Sequence, residues 1–336
     1  MSALLEVDGL CVDYATSKGQ VRAVGNVSFT IAANEVLGIA GESGCGKSTL
    51  LKSLLRLLPS DAAISARRLA FAGRDLMATD ARTFRRELLW QKIAFVPQGA
   101  MASLNPVITV GAQIAEAIRA HVKMPQPRID ARIAEMCDAV GLHGGVARLY
   151  PHQLSGGMRQ RAMIAMALVL DPQLIIMDEP TTGLDVLVQQ RILETLADLR
   201  RRVGCSILLV THDIAVLAEA CDRIAIMYAG GMMEIAPAAA LFAAPWHPYT
   251  LGLQNAFPSI LDPGRQLISI PGRATAPSTT ATGCQFAPRC PFALPICTAE
   301  TPAPVAVGPN HLVACHRIGD VDHLRARAPD KATWRS

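Results

Sequence analysis

Three stretches of this sequence carry residue types and spacings suited to phosphate chemistry. Gly41-Glu42-Ser43-Gly44-Cys45-Gly46-Lys47-Ser48 satisfies G-x-x-x-x-G-K-[ST] at every fixed position. Glycines there let backbone N–H groups turn inward on an anion. Lys47 then reaches the β- and γ-phosphates, and the Ser48 hydroxyl ligates a magnesium ion bridging them. Leu174-Ile175-Ile176-Met177 is an apolar run ending in Asp178-Glu179. In that position Asp178 holds magnesium through water, and Glu179 orients or deprotonates the attacking water. Such a run is common by itself and much less common after a phosphate loop. Leu154-Ser155-Gly156-Gly157-Met158-Arg159-Gln160 precedes an apolar helical stretch. It makes a second anion site at a helix N-terminus or, taken alone, an ordinary N-cap with a flexible lead-in.

Strands and helices must aim these groups. Glu35 to Ala40 reads as a buried strand entering the phosphate loop, and Thr49 to Leu58 as the helix leaving it, with its positive end toward the anion. Leu4 to Tyr14 and Val27 to Ile31 alternate apolar and polar residues as antiparallel strands. Tyr14, near the end of the first, could stack on an adenine or simply pack. Arg67 to Ala72 and Lys92 to Val96 read as strands, the second delivering Gln98 into a loop where its amide could reach a metal and the attacking water. Val110 to about Leu149 is helical, an insertion broken by K-M-P-Q-P-R. Ser206 to Val210 and Arg223 to Tyr228 are further strands, and His212 lies just past the first of them, where open α/β folds place ligands. Helices between successive strands predict an α/β fold with a mostly parallel sheet.

The 336 residues suggest about two folding units, and with aromatics at only 4% aliphatic packing must dominate the core. A formal charge of +4, with its arginine pairs and triple dispersed along helical patterns, argues against a nucleic-acid partner. No run of about eighteen apolar residues and no signal-like start is present, so a cytoplasmic location is expected. Nine cysteines are an odd number for a disulfide framework. Cys284, Cys290, Cys297 and Cys315 fall within thirty-two residues of a proline-rich tail that has little apolar mass to fold without a staple. Their intervals of five, six and seventeen residues lack the close pairs usual for structural zinc and suit a [4Fe–4S] cluster. Zinc and unligated thiols remain the alternatives.

In this order the motifs resemble the ATP-binding subunit of an ABC transporter, over about Leu4 to Leu241, with L-S-G-G-M-R-Q-R as that family's signature. The resemblance implies a P-loop nucleotide-binding domain at 1–241, with a mostly parallel core, an N-terminal antiparallel part and a helical insertion at about 100–170. It implies ATP and Mg2+ as ligands. The phosphate loop and Thr49 would bind nucleotide, Tyr14 would stack on adenine, and Ser48, Gln98 and Asp178 would serve magnesium. Ser155, Gly156 and Gly157 would contact the partner's ATP, Asp185 would be the D-loop acid, Glu179 the catalytic base and His212 the switch histidine. Gly183 in T-T-G-L-D stands where alanine is usual, and Gly99-Ala100 where aspartate and proline are common; glycine at 183 is expected to loosen its loop.

Trp246-His247-Pro248-Tyr249-Thr250, Ile270-Pro271-Gly272-Arg273, Ser103 to Val110 and the cysteine-bearing tail at 242–336 resemble the oligopeptide and dipeptide importer ATPases, which share that tail. The resemblance implies a peripheral protein on the cytoplasmic face of the inner membrane. Its partners would be a second homologous ATPase subunit, two permeases and an extracytoplasmic solute-binding protein. Nickel, opine or another small solute is the alternative cargo. A soluble ABC ATPase acting on ribosomes or DNA is the rival class, and the single cassette without sustained heptads counts against it.

Overall fold

Apolar runs without alternation become strands buried on both faces, as parallel pairing requires. The computed structural model describes residues 3–17, 19–99, 103–143, 145–256, 267–275 and 282–334. In chain order these residues form β1 (Ala3–Thr16), β2 (Gly19–Ala32), β3 (Val36–Ala40), α1 (Lys47–Leu54), β4 (Ala62–Ser65), β5 (Arg68–Phe71), β6 (Arg74–Asp75) and β7 (Ile93–Val96). Next come α2 (Val110–His121), α3 (Gln126–Ala139), α4 (Gly156–Leu168), β8 (Leu174–Asp178), α5 (Val186–Val203), β9 (Ser206–Val210), α6 (Ile214–Ala220) and β10 (Arg223–Tyr228). The chain closes with β11 (Gly231–Pro237), α7 (Ala238–Ala243), α8 (Pro248–Ala256), β12 (Val305–Gly308), β13 (His311–Val313) and α9 (Val321–Arg327).

Two compact units divide the chain. One holds the residues up to Glu6, Thr30–Val36 and Leu69–Thr211; the other holds Val7–Phe29, Leu37–Arg68 and everything from His212 on. In the first, β7, β8 and β9 run parallel, with Val96 opposite Met177 and Asp178 opposite Val210. Every residue of β8 and β9 is buried. Helices α2 to α5 belong to this unit, and Arg132 of α3 anchors the end of α4 by donating from Nε to the Val169 carbonyl at 3.0 Å. In the second, β3 and β10 pair in parallel, β10 and β11 antiparallel, and β13 lies antiparallel between β11 and β12. Strand β1 pairs antiparallel with β4, setting Tyr14 opposite Ala62.

Three expectations change. The phosphate-loop helix starts at Lys47 and stops at Leu54, not at Leu58. Arg56 adopts φ 53° and the Leu57 N–H donates to the Lys52 carbonyl at 2.8 Å, a left-handed termination ahead of Pro59. Pro127 does not lie between helices: α3 begins at Gln126, and its first turn tolerates a residue without an N–H. The tail is also richer in anchoring than its composition suggests. Phe286, Phe292, Leu324 and Trp334 are buried, and β13 hydrogen-bonds to β11, so sheet pairing and an aromatic core help to fasten it.

Candidate active site

The phosphate loop is shaped by two glycines whose neighbours leave no room for a side chain. A Cβ on Gly41 would sit 2.1 Å from the Met227 carbonyl oxygen, and one on Gly46 2.4 Å from that of Ala23. Gly46 has φ 105° and opens α1, where the Leu50 N–H donates to its carbonyl at 2.9 Å. Ser43 and Gly44 are exposed, Ser48 and Thr49 half-buried, and Lys47 and Cys45 buried. Lys47 Nζ donates to the carbonyls of Gly41 at 2.7 Å and Glu42 at 3.0 Å, and approaches Cys45 Sγ at 3.7 Å. Burial pushes the Cys45 thiol up, so a protonated sulfur faces the ammonium. Tyr14, half-buried at the end of β1, places its hydroxyl 3.5 Å from that of Thr49 at the start of α1. The glycine-bearing loop thus closes around a buried ammonium held by its own carbonyls, at the start of α1, a combination suited to polyphosphate.

The acid pair follows from strand register. With Val96 opposite Met177, the chain two residues beyond each brings Gln98 beside Glu179. Gln98 Nε2 donates to Glu179 Oε2 at 3.0 Å, and the Thr182 hydroxyl donates to the same oxygen at 3.0 Å. Glu179 itself takes φ 49°, rare for a residue with a side chain, while its N–H donates to the Val210 carbonyl at 2.8 Å. Asp178 is buried at the strand end. An amide and a hydroxyl thus hold one oxygen of the Glu179 carboxyl group at the end of β8. Sequence reasoning missed Thr182, although its place three residues after Glu179 was the available signal.

Ser155 caps α4: its hydroxyl accepts the Met158 N–H at 3.3 Å. Gly157 packs so closely on α5 that a Cβ would lie 2.4 Å from Val188 Cγ1. Asp185 caps α5, accepting the Val188 N–H at 2.9 Å. Gly183 has φ 79° outside any helix, so glycine suits this turn and alanine would strain it, which corrects the expectation of a loosened loop. Gly99 is likewise at φ 67°, and Ala100 lies outside the described residues. His212 is exposed beyond β9, just before Asp213, which caps α6 through the Ala215 N–H at 2.9 Å.

The four tail cysteines, with His247, Phe286 and Phe292, line one small cavity. Burial raises Cys290 to about 12 and Cys315 to about 11, and lowers His247 to about 4, so both thiols and the imidazole are neutral at pH 7. Among the described residues, no three His, Cys, Asp or Glu side chains are grouped to hold a metal ion. The [4Fe–4S] and zinc expectations therefore gain no support from preformed coordination.

Two family patterns match the chain. The ABC transporter pattern covers residues 24–182, and the oligopeptide/dipeptide transporter C-terminal region covers 233–297. A probable peptide ABC transporter ATP-binding protein of Sinorhizobium fredii is 44% identical over 326 residues, spanning 96% of this chain and 97% of that protein. The chain belongs to the ATP-binding proteins of ABC transporters. This ABC protein is also 41% identical to a dipeptide transport ATP-binding protein of Escherichia coli, across 94% of this chain and 96% of that one. Among solved structures, a subunit of a Clostridium perfringens ABC transporter complex aligns with TM-score 0.63 at 26% identity, over 72% of this chain and 92% of that one. A dimeric cassette with ADP and phosphate aligns with TM-score 0.61 at 27% identity, over 70% and 98%. The ABC protein is thus an ATPase coupled to transport, of the oligopeptide/dipeptide type.

Proposed function

We propose that this chain is one of two ATPase subunits, paired with a different homologous subunit, that drive import of di- or oligopeptides through two permeases. It sits on the cytoplasmic face of the inner membrane and receives solute from an extracytoplasmic binding protein. The observation that supports the chemistry is the Gln98–Glu179 hydrogen bond at 3.0 Å. Glu179 accepts the proton of the attacking water while Gln98 and Thr182 hold its carboxylate in line. Lys47 and the N–H groups of Ser43, Gly44, Cys45, Gly46, Ser48 and Thr49 take the charge that builds on the phosphates. Tyr14 stacks on the base. Ser48, Gln98 and Asp178 would hold magnesium, which would supply charge neutralisation for the phosphates. In a head-to-tail dimer Ser155, Gly156 and Gly157 cap the partner's nucleotide, Asp185 contacts the partner, and His212 senses the γ-phosphate. Peptide as cargo is supported by the match of residues 233–297 and by the relatives' names.

The cysteine tail of residues 242–336 is read as a structural [4Fe–4S] site. Four thiols share one cavity, and the N–H groups of Leu294 and Arg317 donate to the sulfurs of Cys297 and Cys315, each at 3.4 Å, contacts that would also serve cluster-bound sulfur. A cluster spans more space than one ion, so it fits thiols not grouped around a single point. Cys284, Cys290, Cys297 and Cys315 would hold it, and it would fasten the tail.

Purification with the permeases, followed by reconstitution with the binding protein, tests the import reading: peptide should stimulate ATP hydrolysis, and nickel or opines should not. Recovery with ribosomes and no integral membrane protein overturns it. Iron, sulfide and zinc analysis after anaerobic purification tests the tail, and stoichiometric zinc without sulfide overturns the cluster.

A further inference from the structure

Glu42 occupies a variable position of the phosphate-loop pattern, where nothing in that pattern requires an acid. A carboxylate there adds negative charge to a loop built for a polyanion. Every polar group of this residue is nevertheless engaged. Its N–H donates to the Tyr249 hydroxyl at 3.0 Å. Its carbonyl accepts Lys47 Nζ at 3.0 Å and the Cys45 N–H at 3.3 Å. Its carboxylate accepts Arg289 Nη1 at 2.7 Å. Burial shields this ion pair, the Arg289 side chain being 7% exposed and that of Glu42 26%.

Arg289 belongs to the tail, immediately before Cys290 in the short turn Ala287–Arg289. Its guanidinium is locked from several sides: Nε donates to the Pro271 carbonyl at 2.7 Å, Nη2 to that of Ile270 at 3.3 Å, and Nη1 also to the Tyr228 hydroxyl at 3.3 Å. Phe286, three residues earlier, packs against Tyr228 and Tyr249 with ring centroids 5.3 and 5.1 Å away. The cysteine-bearing turn, the Ile270-Pro271 segment and the second residue of the phosphate loop therefore meet at one arginine.

We propose that Arg289 is a positioning residue: it neutralises Glu42 and fixes the phosphate loop to the tail, so that an ordered tail is a condition for full nucleotide affinity. This rests on reading residues 41–48 as the ATP site. The pair also makes affinity for ATP and order in the tail reciprocal, because whatever releases Arg289 leaves an uncompensated carboxylate beside the phosphates.

The test measures Mg–ATP affinity of the full chain in four forms: wild type, Arg289→Met, Glu42→Gln and the double variant, with thermal melts to confirm folding. Arg289→Met should weaken ATP binding roughly tenfold, as one unscreened charge near the phosphates requires. Glu42→Gln leaves the Arg289 charge uncompensated near the phosphates and should bind ATP at least as tightly as wild type, and adding it to Arg289→Met should restore most of the affinity, a rescue that loss of packing alone cannot give. An Arg289→Met affinity equal to wild type, or a loss that Glu42→Gln does not rescue, overturns the inference. Should Arg289→Met not fold, Arg289→Gln keeps a donor for the Pro271 and Ile270 carbonyls while removing the charge, and the same outcomes apply. A wild-type chain that fails to bind ATP overturns the nucleotide reading instead.

Discussion

At the phosphate loop the groups that hold the chain are buried and come from far along the sequence: Tyr249 and Arg289 reach Glu42 across 207 and 247 residues. At the end of β8 the hydrogen bonds that hold Glu179 are exposed, and Gln98 and Thr182 reach it from loops. Buried, charge-paired contacts in low dielectric resist rearrangement, whereas exposed amide and hydroxyl bonds exchange readily with water and ligand. The first region is held by buried contacts, and the second by bonds that can exchange. Binding and chemistry should then separate under mutation.

The sharpest break is Glu179→Gln, which keeps the side chain's shape and removes the carboxylate proposed as the base. Steady-state hydrolysis should fall about 10³-fold with ATP still bound, measured by phosphate release and by nucleotide retained on gel filtration. Wild-type turnover in that variant would remove Glu179 from catalysis. Lys47→Ala addresses the other region: ATP affinity should drop roughly 10- to 100-fold, the scale of a lost charge-assisted contact, and titration calorimetry would reveal any variant that binds normally. Gly157→Ala asks whether the α4–α5 packing tolerates a methyl group. With Val188 Cγ1 2.4 Å from the new Cβ, a loss of about 1–3 kcal/mol in chemical denaturation is expected.

The smallest effect is a pH dependence of the metal-free tail. Cys290 and Cys315 have folded values near 12 and 11 against a usual 9.0. Their folded forms hold protons that the unfolded chain gives up, so stability is intact below pH 9 and declines as pH rises toward those folded values. Moving from pH 8 to pH 10 should cost about 1 kcal/mol per thiol, and a flat urea midpoint across that range would contradict the burial of both sulfurs.

Much of the fold was legible because its strands are short, apolar and bounded by turns. Ser206 to Val210 and Arg223 to Tyr228 were placed to the residue, and parallel pairing explains their unbroken hydrophobicity. The phosphate loop was legible because two of its glycines are dictated by backbone: a Cβ on either would lie within 2.4 Å of a carbonyl oxygen. Long-range partners were not. Nothing near Glu42 in the sequence points to Arg289, and although Gln98 and Glu179 were both expected at the attacking water, their direct hydrogen bond follows only from the Val96–Met177 register. The strands β11, β12 and β13 were also missed: Met232-Met233 and Val305 to Gly308 are too brief or irregular for period-two alternation to show.

Strand β13 has an effect beyond fastening the tail. Strand β11 is seven residues long, mostly buried and carries two methionines and an isoleucine, and without a neighbour it would offer unpaired N–H and C=O groups to any passing chain. Its protector β13 is only three residues long, and the outermost β12 is four residues, exposed and preceded by Pro302 and Pro304. A short edge after prolines is a poor template for further strand addition. The last strands thus end the sheet's growth, and a chain truncated before residue 305 would carry a sticky, aggregation-prone border in their place.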